Sequence, residues 1–432
     1  MNRNIISILI VSLQIFSAEK ANAQINVNEQ RIQTRIDELA RFGKDSLGRN
    51  NRIAFTKGDV EARSWYMDLM KKAGLEVSID YAGNIIGKRK GKNALLKPIA
   101  FGSHIDMVPL GGNYDGCVGS IGALELITVL NENNITTVHP LELIIFANEE
   151  GGTVGSLALA GELTSAALAQ NTNSGSTIGQ GIKRIGGDPD RVKEVKLNRG
   201  DLAAFLELHI EQGGILEKEK IQIGIVEGIV GIKWWEITVQ GFANHAGTTP
   251  MDMRKDALLA ASRLVIAVNE AANSFEGKQV ATVGKISTEP GAPNVIPGIV
   301  KMILEVRDLS SEKIESVFKR IQQKSDSIAR SSGTTISFQE QNVNTKPALT
   351  DKTVQDAIMR VTTKLGYSVR YMQSGAGHDA QEMALICPVG MIFIPSIGGI
   401  SHSPKEFSTS ADMARGATVL LNTVLTLDRE LK

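Results

Sequence analysis

The chain has 432 residues, with 47 Lys and Arg balanced by 47 Asp and Glu, and 42% of it is hydrophobic. That length allows two domains and a substantial core, and the composition is that of a soluble globular protein. A formal net charge of zero gives no support to a nucleic-acid footprint.

The first residues differ from the rest. Arg3 gives a basic start, residues 5–16 are mostly apolar, and Ala21-Asn22-Ala23 is a small-x-small site. This pattern predicts a secretory signal peptide over residues 1–23, cut after Ala23, and an exported, periplasmic mature protein. No later segment reads as membrane-spanning, so no membrane association is expected after cleavage. Cys117 and Cys387 are the only cysteines, and both sit in apolar or glycine-rich surroundings. They are expected to be buried thiols rather than a disulfide framework.

Ile32, Ile36 and Leu39 carry helical spacing within residues 28–42. Residues 58–72 predict a second amphipathic helix, with Trp65, Leu69 and Met70 inward and Gly74 stopping it. Short strands are expected over 77–80 and 84–88 and a buried strand over 99–103. A helix over 119–130 and a buried strand over 141–147 follow. Strand, helix and strand in this order argue for an α/β layered sheet. Residues 161–200 are polar and interrupted, and 202–210 is an apolar run leading to Gly213-Gly214. The double glycine reads as a domain boundary.

Beyond it the rhythm changes. Residues 233–240, 280–286, 299–306 and 334–341 read as strands; 252–272, with Leu258, Leu259, Leu264 and Val265, and 310–329 read as helices. Of Trp234-Trp235, one ring is expected to face the core of this unit and the other its edge. Four strands and two helices suit a two-layer α+β unit. The last part resumes the first domain, with helices over 351–365, 379–385 and 410–427, a strand over 389–394, and loops at 374–378 and 401–404. The expected fold is therefore α/β, a mixed central sheet flanked by helices, with an inserted α+β lid. Residues 24–214 and 342–432 form the catalytic domain and 215–341 the insertion.

Chemistry gathers on the stretch FGSHIDMVPLGGNYDGCVG, residues 101–119. It delivers His104 and Asp106 two residues apart, then Asp115 after a glycine-rich turn. Ligands of open α/β sheets collect beyond the strand carboxyl ends, where His104 and Asn148-Glu149-Glu150 fall. Zinc accepts imidazole nitrogen and carboxylate oxygen. Two neighbouring ions need a bridging carboxylate, a part Asp115 suits. Glu149 and Glu150 point apart in extended backbone, so one can ligate while the other acts as base. Asp106 lies on the same side of an extended segment as His104 and can orient it. His139, beside Pro140 in a polar turn, reads as a surface residue. His245, Asn294 and Arg307 fall in the insertion and suit a lid closing on a substrate; Arg307 equally suits a surface ion pair.

The ordered motifs GSHIDMVPLGGNYDG, NEEG, ELHIEQG, GFANHAGTTPM, PGAPNVIPG, LEVRD, SGAGHDAQ and SHSP run from about residue 30 to the end. In them the chain resembles the dinuclear-metal amidohydrolases that comprise N-carbamoyl-L-amino-acid hydrolase, β-ureidopropionase and allantoate amidohydrolase. These belong to the wider aminoacylase and carboxypeptidase-like metallopeptidases. The resemblance implies two divalent metal ions, zinc by expectation with manganese, cobalt or nickel also suited. It makes His104, Asp115, Glu150, His209 and His402 the ligands, with Asp115 bridging. It makes Glu149 the general base, with Asp106 behind His104. It further implies that His245, Asn294 and Arg307 bind a small carboxylate-bearing ureido or amide substrate, some of them reaching in from the partner of a homodimer. His245 is then also a candidate for stabilising the tetrahedral intermediate, and Gln212 and His378 line the same cleft. The histidine of ELHIEQG, where many peptidase relatives carry a carboxylate, favours the carbamoylase branch. Met107 departs from the threonine common after HxD in the family, and so does the exported start. The expected reaction is hydrolysis of N-carbamoyl-L-amino acids. The alternatives are allantoate, an acyl-amino acid or a dipeptide as substrate, or an inactive binding protein on the same fold.

Overall fold

The computed structural model describes residues 25–431, and the expected signal peptide lies outside them. The chain begins with strands β1 (Glu76–Ile79), β2 (Ile85–Arg89), β3 (Ile99–His104), β4 (Leu141–Phe146), β5 (Ala204–Ile210) and β6 (Ile223–Ile229). It then builds a separate unit from β7 (Gly231–Gln240), β8 (Asn244–His245), β9 (Val280–Glu289), β10 (Val295–Ile296), β11 (Ile299–Asp308) and β12 (Thr335–Thr345). It returns as β13 (Ala348–Leu349), β14 (Val369–Ser374) and β15 (Val389–Ile394). The returning strands complete a nine-stranded mixed sheet in the order β1-β2-β4-β3-β5-β15-β6-β13, with β14 also on β6.

Strands β4, β3, β5 and β15 run parallel at its centre. Every residue of β3, β5 and β15 is buried, as expected of strands covered on both faces. On one face Phe101, Leu206 and Ile392 pack with the helices Glu29–Leu39, Lys57–Lys72, Cys117–Glu132, Lys352–Lys364 and Ser410–Glu430. On the other, Phe146 meets Phe205 edge-on at 5.6 Å in a second apolar cluster. This is the expected α/β catalytic domain.

The inserted unit is an antiparallel sheet, β12-β7-β11-β9, with helices Ala257–Asn273 and Ser311–Ser332 over one face. Side chains alternate across a strand, and the tryptophan pair obeys this. Trp235 stacks flat on Phe318 in the core at 4.0 Å, whereas Trp234 donates its Nε1–H to Glu305 at 2.7 Å.

Three local expectations are corrected. First, β6 belongs to the large sheet, where it pairs with β14 and β15, so the insertion runs from Gly231 to Thr345 rather than over 215–341. The partners of β6 lie more than a hundred residues downstream, beyond the reach of any local pattern. Second, the helix expected from 252 starts at Ala257, because Asp256 caps it by accepting the N–H groups of Leu258 and Leu259. On it Leu264 is buried, while Leu258, Leu259 and Val265 are partly exposed. Third, His139 is buried, not at the surface. The closing helix brings Asp428, which accepts the His139 N–H at 2.7 Å, and the His139 ring Nδ1 lies 2.7 Å from the Lys97 carbonyl oxygen. Among the described residues no helix is long and apolar enough to cross a membrane.

Candidate metal centre

Five residues expected as ligands arrive from five places in the catalytic domain and meet beyond the carboxyl ends of the parallel strands. His104 ends β3 and His209 lies near the end of β5. Asp115 precedes the helix Cys117–Glu132, Glu150 follows β4, and His402 follows β15. The two oxygens of Asp115 face different partners. Oδ1 is 3.5 Å from His104 Nε2 and 3.1 Å from His209 Nε2. Oδ2 is 3.3 Å from His402 Nε2, which lies 3.5 Å from Glu150 Oε2. The result is two ligand triads, His104–Asp115–His209 and Asp115–Glu150–His402, that share Asp115. That is the arrangement a bridging carboxylate between two ions requires.

The surroundings fix which imidazole nitrogens are available. His104 Nδ1 lies 3.1 Å from the Asp106 carbonyl oxygen, and His209 Nδ1 lies 2.9 Å from that of Ile210. A carbonyl can only accept, so each Nδ1 carries a proton, and Nε2, facing Asp115, is the nitrogen left to ligate an ion once it has given up its own proton. Gly116, with φ +63°, makes the close approach possible: a Cβ there would sit 2.3 Å from His104 Nε2.

Glu149 and Glu150 diverge as expected, but from a tight turn rather than extended backbone. Asn148 is left-handed at φ +52°. The Asp106 carboxylate accepts the N–H of Glu149 at 3.3 Å and of Glu150 at 3.2 Å. Asp106 thus orients His104 through its backbone carbonyl and spends its carboxylate on the turn. Glu149 Oε2 lies 3.7 Å from His104 Nε2, beside the first triad.

Burial opposes a charge on His104, but Glu149, Asp115 and Asp106 outweigh it and hold its pKa well above the usual imidazole value. Burial likewise pushes against the Asp115 carboxylate, yet His209, His104 and His402 keep it well below the usual range. Burial and the nearby Asp115 push Glu150 up to about 7. Carboxylates crowded this closely call for cations. His104 Nε2 and Glu150 Oε1, both members of the triads, are buried with no hydrogen-bond partner among the described residues. The donor set fits a pair of divalent ions in chemistry and in these orphaned atoms.

Beside the triads a cleft of about 850 Å³ opens between the two domains. It is lined by Glu149, Glu150, Gln212, Arg307, His378 and His402 among others.

Residues 100–426 match the model of peptidase family M20/M25/M40. The chain belongs to that family. It is 39% identical to the N-carbamoyl-L-amino acid amidohydrolase of Geobacillus stearothermophilus, over 92% of this chain and 98% of the relative. It is 37% identical to the ureidoglycolate hydrolase of Arabidopsis thaliana, over 95% of this chain and 89% of the relative. Among solved structures, an amidase of the hydantoinase/carbamoylase family from Burkholderia multivorans superposes with a TM-score of 0.87 at 36% identity, covering 93% and 98% of the two chains.

In this M20-family chain the expected substrate residues divide. Gln212 reaches the centre, its Nε2 donating to Asp115 Oδ2 at 2.6 Å. His378 lines the cleft with Nε2 2.9 Å from Ser374 Oγ. Burial, reinforced by His209, holds its pKa well below the usual value. Arg307 lines the cleft and also makes an ion pair. Its Nε and a terminal nitrogen donate to Glu305 at 2.7 and 2.9 Å, and the other terminal nitrogen donates to the Gly375 carbonyl at 2.6 Å. His245 and Asn294 are not brought into this cleft. Both are exposed on the small ribbon of β8 and β10 at the rim of the insertion, where the Ala246 N–H bonds to the Asn294 carbonyl.

Three buried carboxylates of the centre escaped the sequence reading. Glu207 accepts from Ser103 Oγ at 2.7 Å and from the Ala380 N–H at 3.0 Å. Asp379 accepts from Ser156 Oγ at 2.6 Å. Glu406 accepts from both loops that carry Asp115 and His402. Their only sequence signal is position: Glu207 and Asp379 neighbour His209 and His378, and Glu406 follows SHSP.

Proposed function

We propose that this chain hydrolyses the ureido C–N bond of N-carbamoyl-L-amino acids, giving the amino acid, ammonia and carbon dioxide. Family membership and the two triads make it a metal-dependent amidohydrolase acting on ureido or amide C–N bonds. The observation that carries the reading is Asp115 shared between the triads, with Glu149 alongside.

His104, Asp115, Glu150, His209 and His402 would hold the ions, zinc being the expected metal. When bound, the ions polarise the substrate carbonyl and acidify water. Glu149 takes the proton of the water that attacks the ureido carbon and delivers it to the leaving nitrogen. The carbamic acid released breaks down to ammonia and carbon dioxide, so one water is consumed per substrate. Arg307, oriented by Glu305 at the cleft wall, supplies the cation for the substrate carboxylate.

His245 and Asn294 are assigned to the cleft of a second copy, because they are exposed at the rim of the insertion and absent from the lining of their own cleft. There His245 donates to the developing oxyanion. Export is proposed on the N-terminal pattern alone; an intact mature protein beginning at Gln24 in the periplasmic fraction checks it.

The decisive experiment is ammonia release by metal-reconstituted protein from N-carbamoyl-L-amino acids, β-ureidopropionate, ureidoglycolate and allantoate, with dipeptides scored separately. Ureidoglycolate is included because of the Arabidopsis relative. Turnover of dipeptides alone refutes the ureido reading. Protein that binds no metal and turns over nothing returns the binding-protein alternative.

A further inference from the structure

We propose that Glu406 is a positioning residue that closes the second triad by fastening the His402 loop to the Asp115 loop. The proposal rests on the two-ion reading above. The Glu406 side chain is buried, and its carboxylate accepts four hydrogen bonds. Oε1 takes the N–H groups of Tyr114 at 2.9 Å and Asp115 at 3.0 Å. Oε2 takes the His402 N–H at 3.2 Å and the Ser401 hydroxyl at 2.8 Å, a hydroxyl that also lies 3.0 Å from Asp115 Oδ2. The first two donors lie in the segment between β3 and the helix Cys117–Glu132, and the last two in the loop after β15. Tyr114 and Glu406 are 292 residues apart in the chain.

Two further observations make this more than a convenient contact. A Cβ on Gly112 would lie 2.1 Å from Glu406 Oε1 and 2.4 Å from Glu406 Cβ, so the Asp115 segment is packed directly onto this side chain. His402 is held at φ +53°, a conformation a non-glycine residue keeps only when its surroundings impose it. Glu406 grips the N–H of that same residue.

The chemistry requires a carboxylate. All four partners donate, and an ionised carboxylate accepts at both oxygens. An amide would turn an NH₂ group toward two of the donors. The triads do not depend on this link equally. His104 and His209 stand on buried central strands. His402 stands on a loop and reaches Asp115 and Glu150 only while that loop is tied down. Loss of the tie therefore opens the Asp115–Glu150–His402 triad first. Groups that orient metal ligands in this way change metal affinity by about 10- to 100-fold.

The test is zinc binding by full-length Glu406→Gln, measured by competition with a chromophoric chelator, with the visible spectrum of the cobalt-loaded protein as a second readout. The expected result is two ions in the wild type and, in the variant, a weaker-held ion whose dissociation constant rises about 10- to 100-fold. The tighter ion should change less, and the cobalt spectrum should lose the contribution of one ion. Glu406→Asp, which keeps the charge, should fall between the two. Two ions bound with wild-type affinities in Glu406→Gln overturn the proposal. If that variant does not fold, Glu406→Asp, which keeps the charge but shortens the reach, decides: selective weakening of one ion supports the tie, and unchanged affinities overturn it. A wild type that binds fewer than two ions instead brings down the two-ion reading, and this proposal with it.

Discussion

Asn148, Gln212 and His402 share a left-handed backbone, with φ of +52°, +58° and +53°. Each such residue costs of order 1–3 kcal/mol locally, and all three border the triads. Hydrogen bonds donated to the carboxylates of Asp106, Asp115 and Glu406 hold these segments in place. At this scale Glu149 has the most exposed assignment. Glu149→Gln should bind two ions as the wild type does and lose about a hundred- to ten-thousand-fold in kcat, read by ammonia release and metal analysis together. Undiminished turnover would move the base elsewhere. The cysteines make a second prediction. Both are free and buried, and burial pushes the Cys387 thiol up to about 12. The thiolate is the reactive form, so the native protein should resist a thiol reagent at pH 8 and expose two thiols when unfolded. Rapid reaction of the native protein would contradict this.

Elements are tied together by few but long-range polar contacts. The helix Glu29–Leu39 is fastened to the helix Cys117–Glu132 through Glu125. Its fully buried carboxylate accepts from Arg31 at 2.7 Å, Arg35 at 3.0 Å and the Asn28 N–H at 2.9 Å. Glu125→Ala should cost about 2–4 kcal/mol, short of the most a lone buried charge can cost, because both arginines reach water. Urea denaturation followed by circular dichroism measures it; a cost under ~1 kcal/mol would mean that apolar packing alone seats the helix. The apolar strands were legible because each is a short hydrophobic run whose burial needs no distant partner to predict it. The run IGIVEGI of β6 was not, since its sheet depends on residues 369–374 and 392–393. His139 failed for the same reason: a polar turn became buried only when Asp428 arrived over it.

At the scale of the whole molecule, the insertion leaves the catalytic sheet after β6 and rejoins it at β13, which pairs directly with β6. The two crossings therefore lie side by side, and Arg307 spans the gap to the Gly375 carbonyl. Such a connection suits closure of one domain on the other. The proposed exchange of His245 and Asn294 between copies has a direct test. Glu149→Gln and His245→Ala should each be inactive alone. Mixed and reassociated in equal amounts, they should recover about a quarter of wild-type activity, since half the dimers are hybrids with one complete site. No recovery in confirmed hybrids would place His245 within its own chain's cleft.

The sequence by itself determined the chemical inventory: imidazoles and carboxylates at strand ends, a glycine turn before Asp115, and an apolar framework to carry them. Those choices are local, since residue type and spacing set coordination chemistry and strand burial. Only the tertiary structure decided which oxygen of Asp115 faces which histidine, that Asp106 grips the Glu149–Glu150 turn, and that Glu406 joins two loops. Apart from the local bond between Glu406 and His402, those contacts are hydrogen bonds and ion pairs spanning 43 to 292 residues. Their strength depends on burial and on distances of a few ångströms, and neither exists until the chain has folded.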